Sequence, residues 1–157
     1  MVDGCLVKTM SKDSDLFARA VALLARREHS RFDLGCKMQR YTDDRQAIEQ
    51  VLDELEKKNL LSDERFVEVY LRSRKERFGV QRLRLELSRH QIAPEIIERE
   101  LAALQPDEFE RALAVWQRRF GEPAEDRRQY ARQFRFLSQR GFNAEIIRRV
   151  LDDSQAY

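Results

Sequence analysis

The phrase EII occurs twice in this 157-residue chain, at 95–97 within IAPEIIERELA and at 145–147 within FNAEIIRRVLD. A second phrase, RFG, occurs at 77–79 and again at 119–121. The offsets are 50 and 42 residues, so the second copy is eight residues longer between the two phrases. Eight residues make about two helical turns, roughly 12 Å. A helix lengthened by that amount keeps its apolar stripe on nearly the same face, which predicts that one helix absorbs the insertion. A unit of roughly 40–50 residues that recurs in this way restricts the fold to arrays in which each unit buries its stripe against its neighbour.

Each unit reads as three helices. In the middle unit, residues 62–104, Ser62 is placed to cap the first helix, and Asp63 and Glu64 suit its positive end. Phe66, Val69 and Tyr70 supply its apolar stripe, and Gly79 is read as its end. Val80, Leu83 and Leu87 share one side of the second helix. The run RLRLEL alternates like a strand, but it holds no β-branched residue, and Arg, Leu and Glu favour helix. Pro94 suits the first turn of the third helix, with Ile97 and Leu101 an i, i+4 pair. The last unit, 105–153, opens at Pro106 and sets Phe109, Leu113, Trp116 and Phe120 on one face. Its long second helix ends near Gly141, and Asn143 caps its third.

The first unit, 15–61, is fainter. Its helices are read at 16–28, at 30–40 with Ser30 and Asp33 as a capping box, and at 45–58, where Ile48, Val51, Leu52 and Leu55 keep the helical period. Strand signals are absent. The sequence predicts an all-α fold of nine helices in three tandem three-helix repeats, stacked as an elongated curved row with no sheet. Residues 1–14 read as a disordered leader and 154–157 as a tail.

Charged residues make up 37% of the chain, against about 25% in ordinary globular domains. The net charge is only +2; of 30 basic residues six are lysine and 24 arginine, the cation suited to phosphates and carboxylates. Cys5 and Cys36 form no CxxC pair, no apolar run reaches membrane-spanning length, and the first residues lack a signal-peptide core. These features predict a cytoplasmic protein without disulfides.

Catalytic constellations are missing. His29 and His90 stand at helix ends among charges and read as surface or capping histidines. No HExxH, metal-spaced Cys/His cluster, GxGxxG or P-loop occurs. The acid pairs 43–44 and 152–153 fall in turns or the tail. The chain is therefore read as a non-enzyme with no cofactor and no metal.

The arginines are unevenly placed. Residues 72–89 carry seven basic residues against Glu76 and Glu86. Residues 127–140 carry Arg127, Arg128, Arg132, Arg135 and Arg140 with no acid, whereas 30–40 hold Arg31, Lys37 and Arg40 against Asp33. The two strong clusters surround the second helices of the middle and last units. The candidate binding track is Arg72, Arg74, Lys75, Arg77, Arg82, Arg84 and Arg89 with Arg127, Arg128, Arg132 and Arg135, facing phosphates or an acidic protein surface. Pairing with acids at i±4 is the competing use of the same residues.

The middle unit also resembles a known family. The segment 60–92, LLSDERFVEVYLRSRKERFGVQRLRLELSRHQI, is similar to the signature of the RecX family of bacterial RecA regulators. The matching positions are Leu61, Asp63, Arg65, Phe66, Tyr70, Arg74, Gly79, Arg82, Leu83, Glu86, Leu87 and Ile92. Arg27, Ser30, Leu34, Lys37 and Met38 agree in the first unit, and FGEP and FLSQRGF agree in the last. The chain departs from the family at Phe78-Gly79-Val80, where Tyr-Gly-Pro is common, and at Asp33, where Glu is usual.

The resemblance implies three tandem three-helix repeats without catalysis. It further implies a monomer that inserts along the groove of the RecA–single-stranded DNA filament and suppresses strand exchange, ATP turnover and stimulation of LexA cleavage. RecA as partner comes from the resemblance alone. The residues by themselves also fit a direct DNA-binding protein of helix-turn-helix-like units, or a helical protein-interaction scaffold.

Overall fold

The computed structural model describes residues 4–154, with side chains for 14–154, and contains nine α-helices and no strand among them. The helices form three triplets: α1 (Gly4–Arg26), α2 (Arg31–Met38) and α3 (Arg45–Lys57); α4 (Asp63–Arg74), α5 (Val80–Arg89) and α6 (Pro94–Ala102); α7 (Glu108–Arg119), α8 (Arg127–Gln139) and α9 (Ala144–Ser154). Short polar side chains start most of them by accepting an otherwise unpaired backbone N–H. Ser30 accepts from Asp33, Ser62 from Arg65 and Asn143 from Ile146, as the sequence predicts, and Asp44 and Asp126 do the same for α3 and α8. Pro94 occupies the first turn of α6.

Several elements differ from the sequence reading, each for a local reason. α1 reaches back to Gly4, through much of the segment read as leader; no proline or glycine between residues 5 and 34 stops it. Residues 1–3 and 155–157 lie outside the described residues. α4 stops at Arg74, so Gly79 does not end it, and Gly79 is not among the positive-φ residues that terminate helices. The eight extra residues of the last repeat do not all enter one helix. α8 has 13 residues against 10 in α5, and the remaining five form the connection 122–126, after Gly121 at φ 71 and around Pro123.

Two apolar stripes are rotated from their expected positions. In α4 the buried residues are Val67 and Leu71, and Val69 is 47% exposed. In α7 they are Glu108, Arg111, Ala112, Val115 and Trp116, with Phe109, Leu113 and Phe120 only half-buried. His29 is buried rather than on the surface, its Nδ1 3.0 Å from the Arg27 carbonyl and its Nε2 2.8 Å from Lys37 Nζ. Burial first, and then the Lys37 charge, lower its pKa, so the ring is a neutral link between the end of α1 and α2.

The described residues divide into two compact units, one of those up to 66 with 90–92, the other of 67–89 with those from 93 onward. The first is built on Leu16, Ala20, Leu34, Met38, Ile48, Val51, Leu52, Leu55 and Leu61. The second buries Val67, Leu71, Leu83, Leu87, Ile97 and Leu101 and, in the last repeat, a cluster of Ala112, Val115, Trp116, Leu137, Phe142, Ile147, Val150 and Leu151. Trp116 keeps its indole N–H satisfied at 2.8 Å by Gln133, which is itself buried.

Each unit contains the same junction, in which parts of one repeat dock on the repeat before it. In the first unit, Asp63 Oδ1 accepts the N–H of Arg31 at the start of α2, at 2.7 Å. Arg65 reaches Glu28, just past α1, and Asn59, just past α3, at 3.0 and 2.9 Å. The turn after α5 brings His90 to Asp33 at 2.7 Å and edge-on to Phe66, next to Gln91 at φ 55.

In the second unit, Glu108 Oε1 accepts the N–H of Val80 at the start of α5, at 3.0 Å. Arg111 donates to the carbonyls of Lys75 and Phe78, past the end of α4, and of Leu104, past α6. The turn after α8 accepts N–H bonds from Gly79, at the Arg140 carbonyl, and from Gln81, at Gly141, whose φ is 88. A Cβ on Gly79 would collide with the backbone of Gly141. Gly79 is required by that approach and not by helix termination.

Gly79→Ala is therefore expected to destabilise the fold by about 3 kcal/mol, the upper end of overpacking costs. Gly35→Ala, whose new Cβ would stand an ordinary 3.4 Å from Leu52 Cδ1, should change stability by less than about 1 kcal/mol, the scale of the Gly–Ala helix preference. Chemical denaturation of the two variants checks both. Leu87 is fully buried and Leu85 is 55% exposed on the same helix. Leu87→Ala should cost about 2–5 kcal/mol and Leu85→Ala under about 0.5 kcal/mol; a reversed order in thermal melts would place the wrong face of α5 in the core.

Candidate functional site

The residues of the candidate track fall into three groups. On α5, successive residues turn by about 100°, and the buried stripe of Val80, Leu83 and Leu87 leaves Arg82 and Arg84 on opposite flanks. Arg84 faces α6 and grips Glu98 with both prongs, at 2.6 and 3.1 Å. The hydrogen bond that Arg84 donates to Glu98 raises the arginine's pKa, and the carboxyl is correspondingly held below its usual range. Arg84 is thus occupied, and on the other side of the helix from its supposed neighbour.

Arg82 joins a second group around Glu86. Its guanidinium bonds Glu86 at 2.9 Å and lies 4.0 Å over the Phe78 ring; Arg74 approaches the same carboxylate at 3.7 Å and covers the Tyr70 ring. Tyr70 donates its hydroxyl to Glu86 at 2.6 Å. Burial, reinforced by Glu86, pushes the phenol up to about 12. Burial raises the Glu86 carboxyl, but the bonds from Tyr70 and Arg82 outweigh it and leave the group below its ordinary value. Two arginines therefore share one ionised carboxylate and keep a single excess positive charge. Arg82 and Arg89 line a cleft of about 440 Å³ with Gln81, Leu85, Ser138 and Gln139.

The third group is unpaired. Arg127, Arg128, Arg132 and Arg135 are exposed on α8 and make no ion pair or hydrogen bond among the described residues. Arg128, Arg132 and Arg135 follow a 4–3 spacing and form one stripe, away from the buried Gln133 and Leu137. Arg72, Lys75, Arg77 and Arg89 likewise have no acid partner among the described residues. In the first repeat, by contrast, Arg31 is held by Glu49, Asp53 and Glu56 at 2.6–2.9 Å. Burial alone would lower its pKa, and the three acids more than reverse this.

The structure adds residues that the sequence reading did not nominate. Arg118 and Arg119, at the end of α7, line a cleft with Arg77, Arg140, Val115 and Phe136. The signal was the RFG phrase itself, in which Arg77 and Arg119 are equivalent. Among the described residues no His/Cys/Asp/Glu group could hold a metal, and no helix is long and apolar enough to cross a membrane.

Residues 62–101 match the model of the second three-helix domain of RecX, and 106–151 match that of the third. The chain is 44% identical over 136 residues to a regulatory protein RecX of Leptothrix cholodnii, covering 87% of each chain. It belongs to the RecX family. A second family member, the regulatory protein RecX of Ralstonia nicotianae, is 40% identical over 141 residues, covering 90% of this chain and 89% of the relative. The crystal structure of RecX from Lactobacillus salivarius shares the fold, with a TM-score of 0.81 at 19% identity over 94% of this chain and 99% of that one.

The Glu86 arrangement predicts a gain of function in anion binding. Glu86→Gln keeps an acceptor for Tyr70 and releases both Arg74 and Arg82. The variant should elute from heparin at higher salt than the wild type, with an unchanged helical spectrum. Earlier or equal elution would mean that the two arginines do not face solvent anions.

Proposed function

We propose that this chain is a noncatalytic cytoplasmic regulator, acting as a monomer, that docks on the RecA–single-stranded DNA filament. There it slows strand exchange, ATP turnover and stimulation of LexA cleavage, and so damps recombination, repair and the SOS response. Membership of the RecX family supports RecA as the partner. The observation that carries the reading is the unneutralised arginine stripe Arg128, Arg132, Arg135 on α8, together with the free cations Arg72, Lys75, Arg77 and Arg89. Exposed arginines left without acids in a chain that holds 28 of them are available to an external polyanion. Arg84 is tied to Glu98, and this reading leaves it out of the docking surface.

The test is a triple reversal of Arg128, Arg132 and Arg135 to Glu, compared with Arg84→Glu. The triple variant should bind RecA-coated single-stranded DNA at least about tenfold more weakly, with the salt dependence flattened by about 0.7 in log–log slope for each phosphate contact removed. It should also leave RecA's ATP turnover largely uninhibited, while Arg84→Glu inhibits like the wild type. Full inhibition by the triple variant would remove α8 from the docking surface.

A further inference from the structure

The cleft lined by Arg77, Val115, Arg118, Arg119, Phe136 and Arg140 has a chemistry of its own. Four guanidinium groups converge on it, no carboxylate lines it, and none of the four makes an ion pair among the described residues. Arg118 is fastened through backbone carbonyls only, donating to Glu76 at 2.9 Å and to Ala114 at 3.3 Å. The floor is aromatic. Phe136 meets Phe120 edge-on at 5.3 Å, and Arg140 and Arg119 lie 4.9 and 5.8 Å over the Phe136 ring. Arg77 and Arg140 also flank Phe78, at 5.6 and 5.7 Å.

We propose that this cleft holds one nucleotide of a single-stranded nucleic acid, independently of RecA. Arg77, Arg118 and Arg119 take the phosphates, and the base stacks against Phe136 and the Arg140 guanidinium. The four like charges repel one another and no protein acid relieves them, which calls for an anion of more than one charge. A carboxylate side chain would satisfy one forked guanidinium and make no use of the ring. A nucleotide uses both, because single-strand sites combine a cationic track with aromatic or arginine platforms on which a base stacks. Size agrees. At about 240 Å³ the cleft is smaller than the roughly 300–1,000 Å³ of drug-sized ligand sites, and it suits a single unit of a chain that continues outside. Arg77 and Arg119 come from equivalent positions of successive repeats, so the two repeats present like cations to successive phosphates. Every base has a stacking face, so binding should tolerate any sequence.

The experiment uses the full chain and fluorescein-labelled dT20 without RecA, read by anisotropy, beside an abasic strand of the same length and a poly-glutamate competitor. The double variant Arg118→Gln, Arg119→Gln changes two exposed side chains and should bind dT20 about tenfold more weakly, with the salt slope flatter by about 0.7 per lost contact. Phe136→Leu keeps an apolar side chain and should weaken dT20 by about tenfold, the scale of one lost stacking contact, while leaving the abasic strand unchanged. That unchanged binding also shows that the variant is folded. Arg84→Gln should match the wild type on every probe.

The proposal is overturned if the double Gln variant holds dT20 like the wild type. Equal losses of dT20 and abasic strand in Phe136→Leu would do the same, as would poly-glutamate binding that depends on these arginines while dT20 binding does not. Of the cations that carry the filament reading only Arg77 lines this cleft, so failure here leaves the α8 stripe and that reading intact. Loss of filament docking in the α8 variant, with dT20 still sensitive to Arg118 and Arg119, would leave this pocket standing.

Discussion

Glu108 and Arg111, one turn apart at the start of α7, are 4% and 7% exposed, and they lie where two other helices end. Glu108 places a carboxylate on the first N–H of α5, at the positive end of that helix. Arg111 places a guanidinium on carbonyls beyond the end of α4, at its negative end. Helix termini leave donors and acceptors unpaired, and charges of the matching sign are favoured there. A short repeat that cannot complete its own ends is thus finished by the first turn of its successor. Asp63 and Arg65 do the same for the first repeat. Arg111 pays for its place with one buried N–H, at Nε, that finds no partner, and burial pulls its pKa down. Removing either charge alone would strand the other group's backbone partners, which is where truncation of a buried polar network costs most.

The functional surface follows from this junction. Arg111 holds the segment from Lys75 to Phe78, which carries Arg77. The bond from the Gly79 N–H to the Arg140 carbonyl fixes the turn that carries Arg140. Arg118, a further two turns along α7, bonds the Glu76 carbonyl from the other side. Three separate stretches of chain are therefore pinned within reach of one cleft by contacts that also hold the repeats together. Arginine suits both tasks, since its forked donors can bind backbone carbonyls with some N–H groups and leave others free.

The periodic features of the chain were legible in its sequence because they depend on neighbours a few residues apart. The caps at Ser30, Ser62 and Asn143, Pro94 at the start of α6, and the Leu83–Leu87 stripe all needed only local spacing, and so did the duplicated phrases that define the repeat. What escaped was set by partners far along the chain. Gly79 looked like a helix stop because its true constraint, Gly141, lies 62 residues away. The stripe of α7 is rotated because Glu108 and Arg111 are drawn inward by the ends of α5 and α4, which no hydrophobic count reveals. Arg82 and Arg84 read as one pair in RLRLEL, yet on a helix they flank opposite sides of the core, and Glu98, fourteen residues on, takes the second. Arg118 and Arg119 lie outside the charge-rich windows 72–89 and 127–140, and only the fold brings them to Arg77 and Arg140.

Acids are distributed unequally around the three second helices. In the first repeat Arg31 is saturated by three carboxylates from α3. In the middle repeat Arg82 and Arg84 meet one carboxylate each. In the last, the arginines of α8 meet none among the described residues. The capping arrangement changes with them. α2 and α5 each take an acid from the following repeat, α2 in addition to its own Ser30 cap, whereas α8 is capped by its own Asp126, in the connection 122–126. Those residues let α8 start without a neighbour's carboxylate beside its first turn. No acid compensates the arginine stripe of α8 among the described residues, and it is the surface this triplet can offer to a polyanion.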